Sequence, residues 1–250
     1  MKTIILSLLA VIQMGCSNSD TKVDDTSTVS GTVDISTVVK AKYFNSAVVS
    51  PNGSTITIKS NGLPQHKTPY WGEGNVLYED FPTGYHANVN TSMSAQHYTM
   101  TIAAKPSTSS THEETTLGPI GMALNGVPIY NDREGGNVAL DELTITTFDY
   151  SWAHPGPGMD YHYHTTGRYT TTDDANLVGF LRDGFPIYGR KDNDGTYPSN
   201  LDTYGGHTGV AADFSENIYH YHASNVNYLN TGYYILKAGS YYGAKGTFTQ

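Results

Sequence analysis

A decapeptide that occurs twice limits what this chain can fold into more than any other feature of it. Gly121 to Tyr130 reads Gly-Met-Ala-Leu-Asn-Gly-Val-Pro-Ile-Tyr, and 58 residues further on Gly179 to Tyr188 reads Gly-Phe-Leu-Arg-Asp-Gly-Phe-Pro-Ile-Tyr. The same offset carries Tyr161-His162-Tyr163-His164 onto Tyr219-His220-Tyr221-His222. Between these anchors Asp149 precedes His154 and Asp202 precedes His207, each by five positions but offset by 53, so the register slips by five within the repeat. Two units, about 118–170 and 176–228, are too few for a solenoid. They suit two sequence-related halves in a pseudo-twofold arrangement around one shared core.

The local signals are those of strands. Asn125-Gly126 and Asp183-Gly184 sit between apolar stretches as two-residue hairpin turns do. Ser54 to Ile58 and Tyr98 to Ala103 alternate polar and apolar side chains, as half-buried strands do. With 20 Tyr and 31 Thr and few long aliphatic runs, a mainly β fold with a few short helices is expected rather than an all-α bundle. The clearest helical stretch is Asn137 to Leu143, with Asn137 as its cap.

The N-terminus reads as an address. Lys2 followed by the apolar run Ile4 to Ile12 has the length of a secretory signal and is too short for a membrane span. It ends at Gln13-Met14-Gly15-Cys16, which resembles a bacterial lipobox, with Gln13 where that pattern usually has an aliphatic residue. The resemblance implies cleavage before Cys16 and lipidation (palmitate) of that residue; the alternative is an ordinary secretory signal with an incidental cysteine, and on either reading the protein leaves the cytoplasm. With the lipid, the protein would be exported to the bacterial cell envelope and anchored to a membrane, at the outer membrane or the cell surface. Residues 17–37, rich in Ser, Thr and Asp, read as a flexible tether, and 38–250 as a single domain. Cys16 is the one cysteine, so neither disulfides nor Cys-zinc sites can hold the fold. A net charge of −9 gives no footprint for nucleic acid. No tight homo-oligomer is expected.

The combination of Ser60-Asn61-Gly62-Leu63-Pro64-Gln65-His66, Asn125 to Tyr130, Leu201-Asp202-Thr203-Tyr204-Gly205-Gly206-His207 and the two tetrapeptides resembles the YHYH-domain family over roughly Ser60 to Gly243. The resemblance fixes a domain type but lends no settled activity. Many relatives carry cysteines near these motifs and this chain has none there.

The histidines point to metal. On a strand, alternate side chains share a face, so His162 and His164 project together about 7 Å apart, with Tyr161 and Tyr163 on the other side. A His-x-His pair plus one distant histidine is a frequent way to hold a transition metal, with copper or zinc favoured outside the cytoplasm. His154, His162, His164, His207, His220 and His222 are the expected ligands. Either each repeat builds its own site or both contribute to one site at the pseudo-dyad. Asp149 and Asp202 would serve as fourth ligands or as acceptors that orient an imidazole, and His66 and His86 are outside candidates. His97 and His112 read as isolated surface or hydrogen-bonded residues. Asp192-Asn193-Asp194-Gly195 looks like a fragment of a calcium loop, but Arg190 stands where an oxygen ligand is needed, so an exposed turn is the better reading. Binding is the leading function. A metal-dependent hydrolase or oxidase on the same ligands, with Glu73, Asp160 or Asp173 as base, is the first alternative. A metal-free module that recognises glycan or protein through its tyrosines is the second.

Overall fold

The computed structural model describes residues 32–87, 89–167 and 175–250; the signal segment, Cys16, most of the tether and Asp173 lie outside the described residues. These belong to one compact unit, Gly31–Gln250. Helix α1 (Ser36–Lys42) packs Ile35 and Val39 fully into the core, so packed chain begins just ahead of Val38.

The fold is β-rich, in three sheets. Strands β1 (Val48–Asn52), β2 (Thr55–Ser60), β3 (Tyr98–Ala103) and the C-terminal β14 (Thr247–Thr249) form a four-stranded antiparallel sheet in the order β1-β2-β3-β14. Ile56, Ile58, Met100 and Ile102 alternate onto its buried face, as the sequence pattern requires.

The repeats build the second sheet. The first supplies β4 (Gly121–Ala123), β5 (Pro128–Ile129), β8 (Ala153–Pro155) and β9 (Tyr161–Tyr163). The second supplies β10 (Leu177–Leu181), β11 (Pro186–Tyr188), β12 (Gly206–Gly209) and β13 (Ile218–His222). Their order is β12-β13-β11-β10-β4-β5-β9-β8. Read outward from the central β10/β4 pair, each half has the same succession: a hairpin, a parallel neighbour, then an antiparallel edge strand. The central register is reciprocal, with Gly121 opposite Leu181 and Gly179 opposite Ala123. A Cβ on Gly121 would meet Phe180 O at 2.5 Å, and one on Gly179 would meet Met122 O at 2.2 Å. The leading glycine of each decapeptide therefore lets the two units approach.

The hairpin turns differ from expectation by one residue. Gly126 N bonds Ala123 O and Ala123 N bonds Val127 O, and Leu181 with Gly184 and Phe185 repeats this. Each loop thus has three residues with glycine in the left-handed region, at φ 85° in Gly126 and 88° in Gly184. The expected helix at Asn137 is also replaced. Asn137 has φ 59° in the turn of a small ribbon, β6 (Arg133–Glu134) with β7 (Val138–Ala139), and the helix that follows is α2 (Glu142–Ile145), capped by Asp141. The Gly135-Gly136 pair ahead of Asn137 favours this tight turn over a helix start.

Candidate metal centres

Each repeat brings three imidazoles and one carboxylate together, so among the described residues there are two groups, one per repeat: Glu134, His154, His162 and His164, and Asp192, His207, His220 and His222. In each, one donor atom per residue lies within 4.8 Å of all the others. Strand pairing explains the meeting. His154 is the direct cross-strand partner of His162 on β8/β9, and His207 of His220 on β12/β13. Two positions on, His164 and His222 return to the same face.

The alternate tyrosines face the core, where an Asx residue holds each of them. Tyr161 OH donates to Asp149 Oδ2 at 2.5 Å and Tyr219 OH to Asp202 Oδ1 at 3.0 Å. Asp149 also accepts from Ser151 N and Ala153 N, and Asp202 from Tyr204 N and Gly206 N, the same positions of each loop. Neither carboxylate touches an imidazole in these groups. The expectation that Asp149 and Asp202 coordinate or orient histidine is corrected: they shape the loop that delivers the third histidine and fasten the first tyrosine. Burial pushes Asp149 up to about 7, against the pull of Tyr161 and the loop amides. The second tyrosines bond the hairpin turns, Asn125 Nδ2 donating to Tyr163 OH at 2.9 Å and Tyr221 OH to Asp183 Oδ2 at 2.6 Å.

The orientation of the rings carries the chemistry. His162 Nδ1 donates to Asp160 O and His220 Nδ1 to Ile218 O; His164 Nδ1 donates to Asn131 O and His222 Nδ1 to Gly189 O. Those acceptors are again 58 residues apart. His154 Nδ1 meets Thr147 Oγ1, whose own proton goes to Thr144 O, and His207 Nδ1 meets Asn200 Oδ1. A carbonyl can only accept, so every Nδ1 carries the proton and every Nε2 is left as a lone pair when the ring is neutral. For four of the six the neutral state is favoured. Burial, reinforced by neighbouring imidazoles, pushes His162 well below the usual range, burial lowers His154 and His220, and His222 falls to about 4 for the same reason.

Six such lone pairs face inward at short range. His162 Nε2 lies 3.0 Å from His164 Nε2, and His164 Nε2 lies 3.2 Å from His154 Nε2. In the other group His207 Nε2 is 3.1 Å from His220 Nε2 and 3.3 Å from His222 Nε2. Carboxylate oxygens close the sets. Glu134 Oε1 is 3.2 Å from His154 Nε2 and 3.4 Å from His164 Nε2, and Asp192 Oδ1 is 3.0, 3.6 and 3.3 Å from His207, His220 and His222. Glu134 Oε1 is buried without a well-aligned hydrogen bond. Acceptors at this spacing could share a cation among them. A tetrahedron of donors about 2.0 to 2.1 Å from one ion has edges of about 3.3 to 3.4 Å, close to the distances seen.

Glu134 escaped the sequence reading and Asp192 was assigned to a calcium-like turn. Both have the 58-residue offset, which is the signal that links them. Asp194 instead accepts from Thr196. His66 bonds Tyr163 OH at 2.7 Å and His86 bonds Thr146 Oγ1 at 3.2 Å, so neither joins a group. Asp160 accepts from Tyr130 OH, and Glu73 is exposed. Tyr130 stacks on His162 at 3.9 Å, and its counterpart Tyr188 meets His220 edge-on at 5.4 Å.

The family model described as YHYH protein matches residues 98–199. This span takes in the first four donors and Asp192 but ends before Asp202, His207 and the second tetrapeptide. Neither a curated protein nor a solved structure matches the chain.

Proposed function

We propose that this chain, whose residues 98–199 belong to the YHYH family, binds two transition-metal ions, one in each repeat, and that the ion is Zn²⁺. One observation carries the reading. All six imidazoles are fixed by their Nδ1 protons so that the Nε2 lone pairs of each trio converge on a carboxylate oxygen. Second acceptors of this kind set the tautomer and raise the basicity of a metal-bound imidazole.

The shape of the donor set supports zinc over copper. In a square plane, two pairs of donors stand opposite each other at about 4.1 Å, as Cu²⁺ favours. In the Asp192 group five of the six donor pairs lie between 3.0 and 3.6 Å, which suits a tetrahedron. We further infer, from the N-terminal address alone, that the protein is exported and lipid-anchored at Cys16.

Elemental analysis of protein purified with excess zinc and then desalted tests the reading. Two zinc ions per chain are expected, falling to one in His162→Ala/His164→Ala and to one in His220→Ala/His222→Ala. A chain that retains no metal sinks the proposal, and copper retained in preference to zinc from an equimolar mixture overturns the choice of ion.

A further inference from the structure

The two groups have the same donors but not the same access. Asp192 lies within 3.6 Å of all three of its imidazoles, whereas Glu134 lies within 4.0 Å of only His154 and His164, leaving the His162 side of the set less covered. Beside Glu134 a cavity of about 550 Å³ opens to the surface. Glu134 itself forms part of its wall, with Thr147, the residue that holds His154, and with His86, Leu143 and Thr144. The recess against Asp192, His220 and His222 has no room for a water molecule. Each centre thus has one donor on an open cavity: at the first it is the carboxylate, Glu134, and none of its three histidines, while a second cavity, about 410 Å³, touches His222 and not the carboxylate Asp192.

The two carboxylates also differ in exposure. Glu134 rides on a ribbon of two paired residues per strand, and its longer side chain is 31% exposed against 22% for Asp192. A carboxylate on a short surface ribbon, placed between a metal and an open cavity, can swing aside at little cost. The Asp192 carboxylate, within 3.6 Å of three imidazoles and beside a recess without room for water, has less freedom to do so.

We propose that the Glu134 centre is an exchangeable one, in which the carboxylate yields its place on the metal to an anionic oxygen donor entering through the cavity, while the Asp192 centre stays closed and structural. The inference rests on the two-ion reading above. Ligand exchange balances simply: one metal–oxygen bond to Glu134 breaks, one to the incoming anion forms, and the charge on the metal is unchanged. Leu143 beside His86 and Thr144 suits a carboxylate- or hydroxamate-type ligand with a small apolar body.

The test uses the full chain with Co²⁺ in both centres, whose visible spectrum reports coordination, titrated with acetohydroxamate. One equivalent of probe per chain, changing about half of the absorption, is expected. The response should vanish in His162→Ala/His164→Ala and persist in His220→Ala/His222→Ala. Zero or two equivalents on the unaltered chain overturns the proposal, and so does a response that survives loss of the Glu134 centre. The stoichiometry on the unaltered chain decides the matter even where a double variant fails to fold. Failure to take up Co²⁺ at all would instead strike the two-ion reading, so the two outcomes are distinguishable.

Discussion

At one edge of the eight-stranded sheet, Phe148 lies flat against His164 at 5.2 Å and edge-on to His154 at 5.1 Å, backed by a small apolar cluster of Leu140, Ile145, Tyr233 and Ile235. At the other edge the position that corresponds to Phe148 is Leu201, which is 37% exposed, and His207 is bonded to the exposed Asn200. The donors and the carbonyls that aim them are repeated almost atom for atom. What differs is the carboxylate's length and the shell around the set. Backbone repetition thus fixes which donors converge, and the surroundings set solvent access and local dielectric around them.

Chelation should separate the two most strongly. Removing both ions with dipicolinate is expected to lower the melting temperature by about 15 °C or more, if each contributes on the order of 4 kcal/mol. Metal release should be biphasic, with the Glu134 centre emptying first. Calorimetry together with a metal-sensitive dye would show it, and a single phase would erase the distinction drawn here.

Next in size is the contrast between the two loop aspartates. Asp149→Ala leaves the Tyr161 hydroxyl and two loop amides without their buried partner and should cost about 3 kcal/mol in urea unfolding, whereas at the exposed Asp202 water can substitute and about 1 kcal/mol is expected. Equal losses would mean that burial does not distinguish the repeats.

A pH series refines this. Folded Asp149 titrates at about 7, above its unfolded value near 4, so between these limits the native state binds a proton that the unfolded chain does not. Stability contributed by Asp149 is complete below pH 4 and declines as pH rises to about 7. The stability difference between the parent and Asp149→Asn, measured on metal-free protein, should shift in the variant's favour across that window. A pH-independent difference would contradict it.

Smallest is the loss of an orienting acceptor. Thr147→Val removes the partner of His154 Nδ1 inside the protein, and about tenfold weaker zinc binding at that centre is expected. Asn200→Ala removes an exposed acceptor of His207, and a few-fold effect is expected by zinc competition titration.

Much of this arrangement was legible in the sequence because it is written twice. The 58-residue offset marks the tetrapeptides and the hairpins, and alternation along Tyr98 to Ala103 gives that strand to the residue. Asp149 and Asp202 misled for a physical reason. Proximity in sequence to a histidine says nothing about which face of the strand a side chain reaches, and both reach the tyrosine face. Glu134 was hidden by its neighbours, since Arg133-Glu134-Gly135-Gly136 reads as a plain surface turn. Asp192 was hidden by Asn193-Asp194-Gly195, which imitates a loop for a harder ion. The depth of Phe148 and the cavity beside Glu134 arise from long-range packing that no local pattern records.

The third histidine of each trio stands on an outermost strand, β8 at one end of the large sheet and β12 at the other. Outermost strands present unpaired backbone to any passing chain and are where sheets begin to polymerise. An ion gripping both the last strand and the one inside it would act as a rivet at each border of the sheet. Stripped of metal, the molecule should fray from its margins inward and self-associate there before its centre melts.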